Sequence, residues 1–111
     1  MVDEKISVLT FHKEDVSAAN WRHFRDVLTN TLDGGVHNLI IYLEDIHIVF
    51  SGVLNALAES RVKARRLGGT IVLVTNTNEL HKFLLTTGFD KMFDIVSSIE
   101  EAREIIETSA A

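Results

Sequence analysis

Few side chains here could do chemistry, and their spacing argues against most reactions. Five histidines, His12, His23, His37, His47 and His81, fall in separate segments, with no His-x-x-x-His pair and no carboxylate cluster at ligand spacing. A metal centre is therefore not expected. The chain has no cysteine, which removes thiolate ligands, thiol nucleophiles and a disulfide framework together. No Ser-His-Asp order, Walker loop or paired carboxylates stand out, so the expectation is a protein without catalytic residues and without a cofactor. What remains is Ser51-Gly52, just ahead of an amphipathic run. A serine there reads first as an N-cap, accepting an amide hydrogen bond worth about 1 kcal/mol.

The elements that must position this serine form the centre of the chain. Leu39, Ile40, Ile41, Tyr42 and Leu43 are apolar without alternation, as are residues 70–75, and both runs read as strands covered on two faces. Between them Val53, Leu54, Leu57, Ala58, Arg61 and Ala64 recur at helical spacing, and Gly68-Gly69 is a natural stop. This is a βαβ crossover, so its strands should be parallel and its hand right-handed.

Around that unit, residues 5–11 alternate Ile6, Val8 and Thr10 with Ser7, Leu9 and Phe11, a strand expected near a sheet edge. Ser17 is the expected cap of a helix to Leu32, with Trp21, Phe24, Val27, Leu28 and Leu32 on its apolar face. Asn76 and Glu79 have capping-box spacing before a short helix that stops at Gly88. A strand over 93–96 follows, then a last helix capped by Ser98 and Glu101. The order is β-α-β-α-β-α-β-α, an α/β chain in one domain over 1–111. Either helices lie on both sheet faces or a second copy covers one of them.

The 46% hydrophobic content suffices for one core. A net charge of −5 argues against nucleic acid, whose phosphates need a basic face. No apolar run approaches the ~20 residues of a membrane span, and the start is too acidic for a signal peptide, so the expectation is a soluble cytoplasmic protein with no membrane insertion. Arg61, Lys63, Arg65 and Arg66 sit where cations meet a helix's negative end, and read alternatively as a patch for an acidic partner. Glu100, Glu101, Glu104 and Glu107 read as a solvated face.

Two stretches, Ala64-Arg65-Arg66-Leu67-Gly68-Gly69-Thr70-Ile71-Val72-Leu73-Val74 and Leu84-Leu85-Thr86-Thr87-Gly88-Phe89-Asp90-Lys91-Met92-Phe93-Asp94-Ile95, carry a family resemblance. They are similar to the helix-to-strand junction and the L-x-x-x-G-L-D-x-x-F-x-I signature of the sulfate transporter and anti-sigma factor antagonist (STAS) domain, and the likeness covers nearly the whole chain. It implies a mixed sheet of about four strands with about four helices, largely on one side. It also implies a bacterial, non-catalytic module that regulates transcription by binding a partner, an anti-sigma factor or serine kinase of that type.

In that family a hydroxyl at the start of the central helix is phosphorylated, beside unpaired amides and a positive dipole end. Aligned without gaps, Phe50 here stands at the family's aspartate, Ser51 at its first hydroxyl, Gly52 at the phosphorylated position and Val53 at the glycine. Ser51 becomes the phosphorylation site only with a one-residue slip. The gapless alignment implies docking independent of phosphorylation, through Ile48, Phe50, Ser51, Gly52, Val53, Asn55 and Ala56. Phe50 reads either as core filler or as an exposed contact for the partner. The alternative function is an oligomeric scaffold, or an accessory subunit of a transporter or small-ligand-sensing system. The resemblance also implies an earlier hairpin that is nearly missing, so an edge formed by residues 5–11, with Leu9 and Phe11 uncovered, is expected to pair in a homodimer.

Overall fold

The computed structural model describes residues 6–110. Strands β1 (Ile6–Phe11), β2 (Asn38–Leu43), β3 (Ile71–Thr75) and β4 (Asp94–Val96) alternate with helices α1 (Trp21–Asp33), α2 (Ser51–Arg66), α3 (Asn78–Thr86) and α4 (Ile99–Ala110). A one-turn 3₁₀ helix, Phe89–Lys91, precedes β4. The strands lie in the order β1-β2-β3-β4 and all three pairings are parallel. The expected mixed sheet is thus corrected to a parallel one among the described residues. Each strand reaches the next through a helix, which returns the chain to the same end of the sheet.

β2 and β3 lack alternation because both their faces are covered. Leu39, Ile41, Leu43, Ile71 and Leu73 pack under α1, α2 and α3, through Phe24, Leu28, Leu57, Leu80 and Leu84 among others. Ile40, Val72 and Val74 face the opposite way, onto Ala102 and Ile106 of α4. Helices therefore lie on both faces, three against one. Among the described residues β1 is an edge strand, but Leu9 and Phe11 are not uncovered. Phe11 is buried with its ring 4.5 Å from that of Phe24, and Leu9 packs on the same core, because strand alternation turns both beneath the helix layer. Ile6 and Val8 point to the α4 face. Lys5, the expected first residue of this strand, lies outside the described residues.

Two helix starts differ from expectation. The Ser17 hydroxyl donates to Glu14 O at 2.8 Å, and its carbonyl accepts from the Asn20 and Trp21 amides, so 17–20 is a turn and α1 begins at Trp21. Thr77, not Asn76, caps α3, accepting from the Leu80 amide at 3.4 Å. Asn76 is occupied elsewhere, by Asp45. Ser98 does cap α4, accepting from the Glu101 amide while its hydroxyl donates to the Glu101 carboxylate at 3.1 Å.

Candidate functional site

The segment between β2 and α2 is held at several points, which makes its exposed residues a fixed surface. Asp45 has a positive φ of 54°, an unfavourable conformation for a residue with a side chain. Asn76 secures it: the Asp45 amide donates to Asn76 Oδ1 at 2.8 Å, and Asn76 Nδ2 donates to Asp45 Oδ1 at 2.9 Å. The Thr77 hydroxyl donates to Ile46 O at 2.6 Å, and the Phe50 amide to Val16 O at 2.9 Å. Two histidine–carboxylate contacts flank the segment, His12 Nε2 to Glu44 Oε1 at 2.9 Å and His47 Nδ1 to Glu79 Oε2 at 3.3 Å. Burial, followed by the charges of Glu44 and Asp45, pushes the Tyr42 hydroxyl's pKa up, so it stays neutral.

With Ile46 and Val49 buried as anchors, Ile48 is left 74% exposed and Phe50 40% exposed. Phe50 is also the N-cap of α2, with extended backbone and no side-chain cap bond, and the first turn holds no acidic residue. Ser51 is therefore not the cap. It is the exposed first helical residue, because the backbone turns into the helix at Phe50. Gly52 falls in the first turn, as expected, and is buried under the indole of Trp21. A Cβ added at Gly52 would meet Trp21 Cδ2 at 2.7 Å. The same indole stacks on Phe50, with centroids 6.2 Å apart, and carries the Arg22 and Arg25 guanidinium groups at 4.9 and 5.4 Å from its centre.

Of the residues expected to meet a partner, Ile48, Phe50, Ser51 and Asn55 are exposed on this surface. Gly52, Val53 and Ala56 are buried, which corrects the expectation that they form part of the contact surface. Helical periodicity turns them towards Trp21 and the core. Sequence reasoning missed the other wall. A groove of about 530 Å³ runs between residues 13–18 and 48–51, with Lys13, Val16 and Ala18 facing Ile48, Phe50 and Ser51. The sequence carried no signal for that wall; Gly52 signals a different neighbour, since glycine inside a helix implies close approach by another group, here Trp21.

The arrangement offers an uncapped positive helix end, two arginines and exposed apolar side chains, which suits binding an apolar group with an acceptor or carboxylate beside it. Among the described residues no group of three histidines or carboxylates could hold a metal ion, and no helix is long and apolar enough to cross a membrane.

The sequence profile of the STAS domain matches residues 2–102. Among solved structures, the chain is similar to the crystal structure of a candidate anti-sigma factor antagonist from Thermotoga maritima, TM1081, at 22% identity and a TM-score of 0.79, over 96% of this chain and 91% of that one. The NMR structure of TM1081 aligns with a TM-score of 0.75, also at 22% identity, over 96% of this chain and 85% of that one. No curated protein matches.

Proposed function

Because the chain belongs to the STAS domain family, we propose that it is a single-domain, non-catalytic regulatory module that docks a protein partner through Ile48, Phe50, Ser51 and Asn55 at the start of α2. The partner is of the anti-sigma factor or serine kinase type. The observation that carries this reading is the residue at the cap of α2. A position that favours Ser, Thr, Asp or Asn holds an exposed phenylalanine instead, so both capping and burial are given up at one place. Such local violations concentrate where another molecule completes the structure.

Docking here does not require phosphorylation. At Gly52 there is no hydroxyl, and Trp21 occupies the space one would need. Ser51 is exposed, and a phosphate on it would sit beside the uncapped amides and within the reach of a positive helix end.

Affinity capture from the native host, with wild type beside Ile48→Asp and Phe50→Asp, tests the reading. Aspartate at position 50 can cap α2, so folding should change by no more than about 1 kcal/mol as the gained cap offsets the lost Trp21 stack. The wild type should retain a partner that both variants lose. A partner that survives both substitutions refutes this surface.

A second reading, self-association through β1, is supported by that strand's place at the sheet edge with no neighbour on its outer side among the described residues. Sedimentation equilibrium over a wide concentration range tests it, and a strictly monomeric mass at high micromolar concentration rejects it.

A further inference from the structure

At the other end of α2 lies a half-enclosed cleft of about 150 Å³, walled by Arg61 and Arg65 on one side and Met92 and Asp94 on the other, with Gly69 and Thr70 between. Arg61 and Arg65 are one helical turn apart, so like charges repel across i, i+4. Neither has an ion-pair, hydrogen-bond or aromatic partner among the described residues, although the chain carries 16 acidic residues against 11 basic ones. Their neighbour Lys63 is paired, with Asp33. Among the described residues the Thr70 hydroxyl likewise has no partner, since this residue's hydrogen bond to Asn38 uses its amide.

Capping does not account for the arginines. The last carbonyls of α2 are satisfied by backbone: the Gly68 amide donates to Arg65 O at 3.1 Å and the Gly69 amide to Ala64 O at 2.8 Å, with Gly68 at φ +80°. The dipole contributes about half a negative charge at this end, whereas Arg61 and Arg65 bring two full positive ones. The cleft is therefore net positive even after Asp94 is counted.

We propose that this cleft binds a small protonated oxyanion of the phosphate class. Guanidinium forks match the oxygens of a tetrahedral oxyanion, and the Thr70 hydroxyl supplies a further donor. Asp94 is an acceptor and repels an anion with no proton to give. It thus selects hydrogenphosphate, whose P–OH can donate to it, over sulfate, which has none at neutral pH. The site is separate from the docking surface, because the 16 residues of α2 span about 24 Å, and neither proposal depends on the other.

The test is an amide NMR titration of the full chain at constant ionic strength, with inorganic phosphate, sulfate and glycerol phosphate as probes. Phosphate should give saturable shifts at Gly69 and Thr70 while Gly52, at the far end of the helix, stays still. Arg61→Gln and Arg65→Gln should each weaken binding on the order of tenfold, with the dispersed spectrum showing that the fold is kept. Sulfate should bind more weakly, and Asp94→Asn should bring sulfate closer to phosphate. Glycerol phosphate, a monoester largely without a P–OH proton at neutral pH, should bind more weakly than hydrogenphosphate, and binding as tight as that of phosphate would overturn the selection by Asp94. Absence of saturable shifts, shifts that persist when both arginines are replaced, or sulfate binding equal to phosphate in the wild type overturns the proposal.

Discussion

At its C-terminal end α2 closes on Gly68 and Gly69, whose amides take up the last carbonyls, while at its N-terminal end Phe50 and Ser51 leave the first amides without a side-chain acceptor. Both ends also contain a glycine that something presses against. At Gly69 an added Cβ would lie 1.9 Å from the His37 carbonyl oxygen, which is backbone entering β2. At Gly52 it would lie 2.7 Å from the Trp21 indole, which is a side chain. The first contact joins α2 rigidly to the sheet; the second can yield if Trp21 moves. The contrast separates an end built for stability from an end built to meet something else.

The sharpest way to break the comparison is Gly69→Ala. Backbone cannot step aside without disturbing the β2–β3 pairing, in which Leu39 already donates to Thr70 O at 2.9 Å. A loss of roughly 3 kcal/mol or more is expected in urea unfolding. A neutral result would show that the approach of His37 to Gly69 is not the constraint described.

Gly52→Ser comes next. It puts a hydroxyl where the gapless alignment sets the family's phosphorylated residue, and forces Trp21 off the start of α2. Because a side chain yields more readily than backbone, the expected cost is roughly 1–3 kcal/mol. Trp21 is the only tryptophan, so its fluorescence reports the displacement directly. An unchanged emission maximum together with unchanged stability would mean that position 52 accepts a side chain where it stands.

How far these two ends could be read beforehand follows from how local their causes are. The strands, the helices and the α/β order follow from periodicity in windows of a few residues, and the stop at Gly68-Gly69 is a local backbone property. The cap of α3 lies one residue beyond the Asn76 that the spacing predicts, because Asn76, a good cap by type, is held by Asp45 across 31 positions of sequence. The mixed sheet came from family resemblance, whereas the crossover pattern itself implied parallel neighbours. The expectation that Leu9 and Phe11 are uncovered rests on the nearly missing hairpin of the family, whereas what buries them is the face the helices take, which strand alternation alone does not give. At the candidate site the serine, glycine and phenylalanine were legible as unusual choices. Their common neighbour Trp21 was not, since it looked like one more residue in the apolar stripe of α1.

A smaller effect compares the bare start of α2 with the capped start of α3. The Thr77 hydroxyl both accepts from the Leu80 amide and donates to Ile46 O, so it ties α3 to the segment that carries Ile48 and Phe50. Thr77→Ala should cost about 1 kcal/mol in thermal or urea unfolding. Hydrogen exchange should speed up at the Leu80 amide, and Thr77→Ser should restore most of the loss. If alanine leaves both stability and exchange unchanged, the tie does not hold that segment.

The smallest expected effect concerns Glu79, in the first turn of α3, and it has a definite sign. Hydrogen bonding to its own backbone amide lowers its pKa below the ordinary value of 4.5; partial desolvation opposes this, and the charge and hydrogen bond of His47, then the charge of Lys82, add to the lowering. A carboxyl with a depressed folded-state pKa binds fewer protons in the folded chain than in the unfolded one. Its contribution is therefore present above the unfolded value and is lost as pH falls through the folded one. Glu79 is exposed, so screening keeps the contribution small. Thermal melts from neutral pH down into the acid range should show wild type losing slightly more stability than Glu79→Gln, with the gap narrowing in high salt. A glutamine variant as acid-sensitive as the wild type would show that the amides at the start of α3 do not favour the charged carboxylate, and would remove the electrostatic half of the contrast with α2.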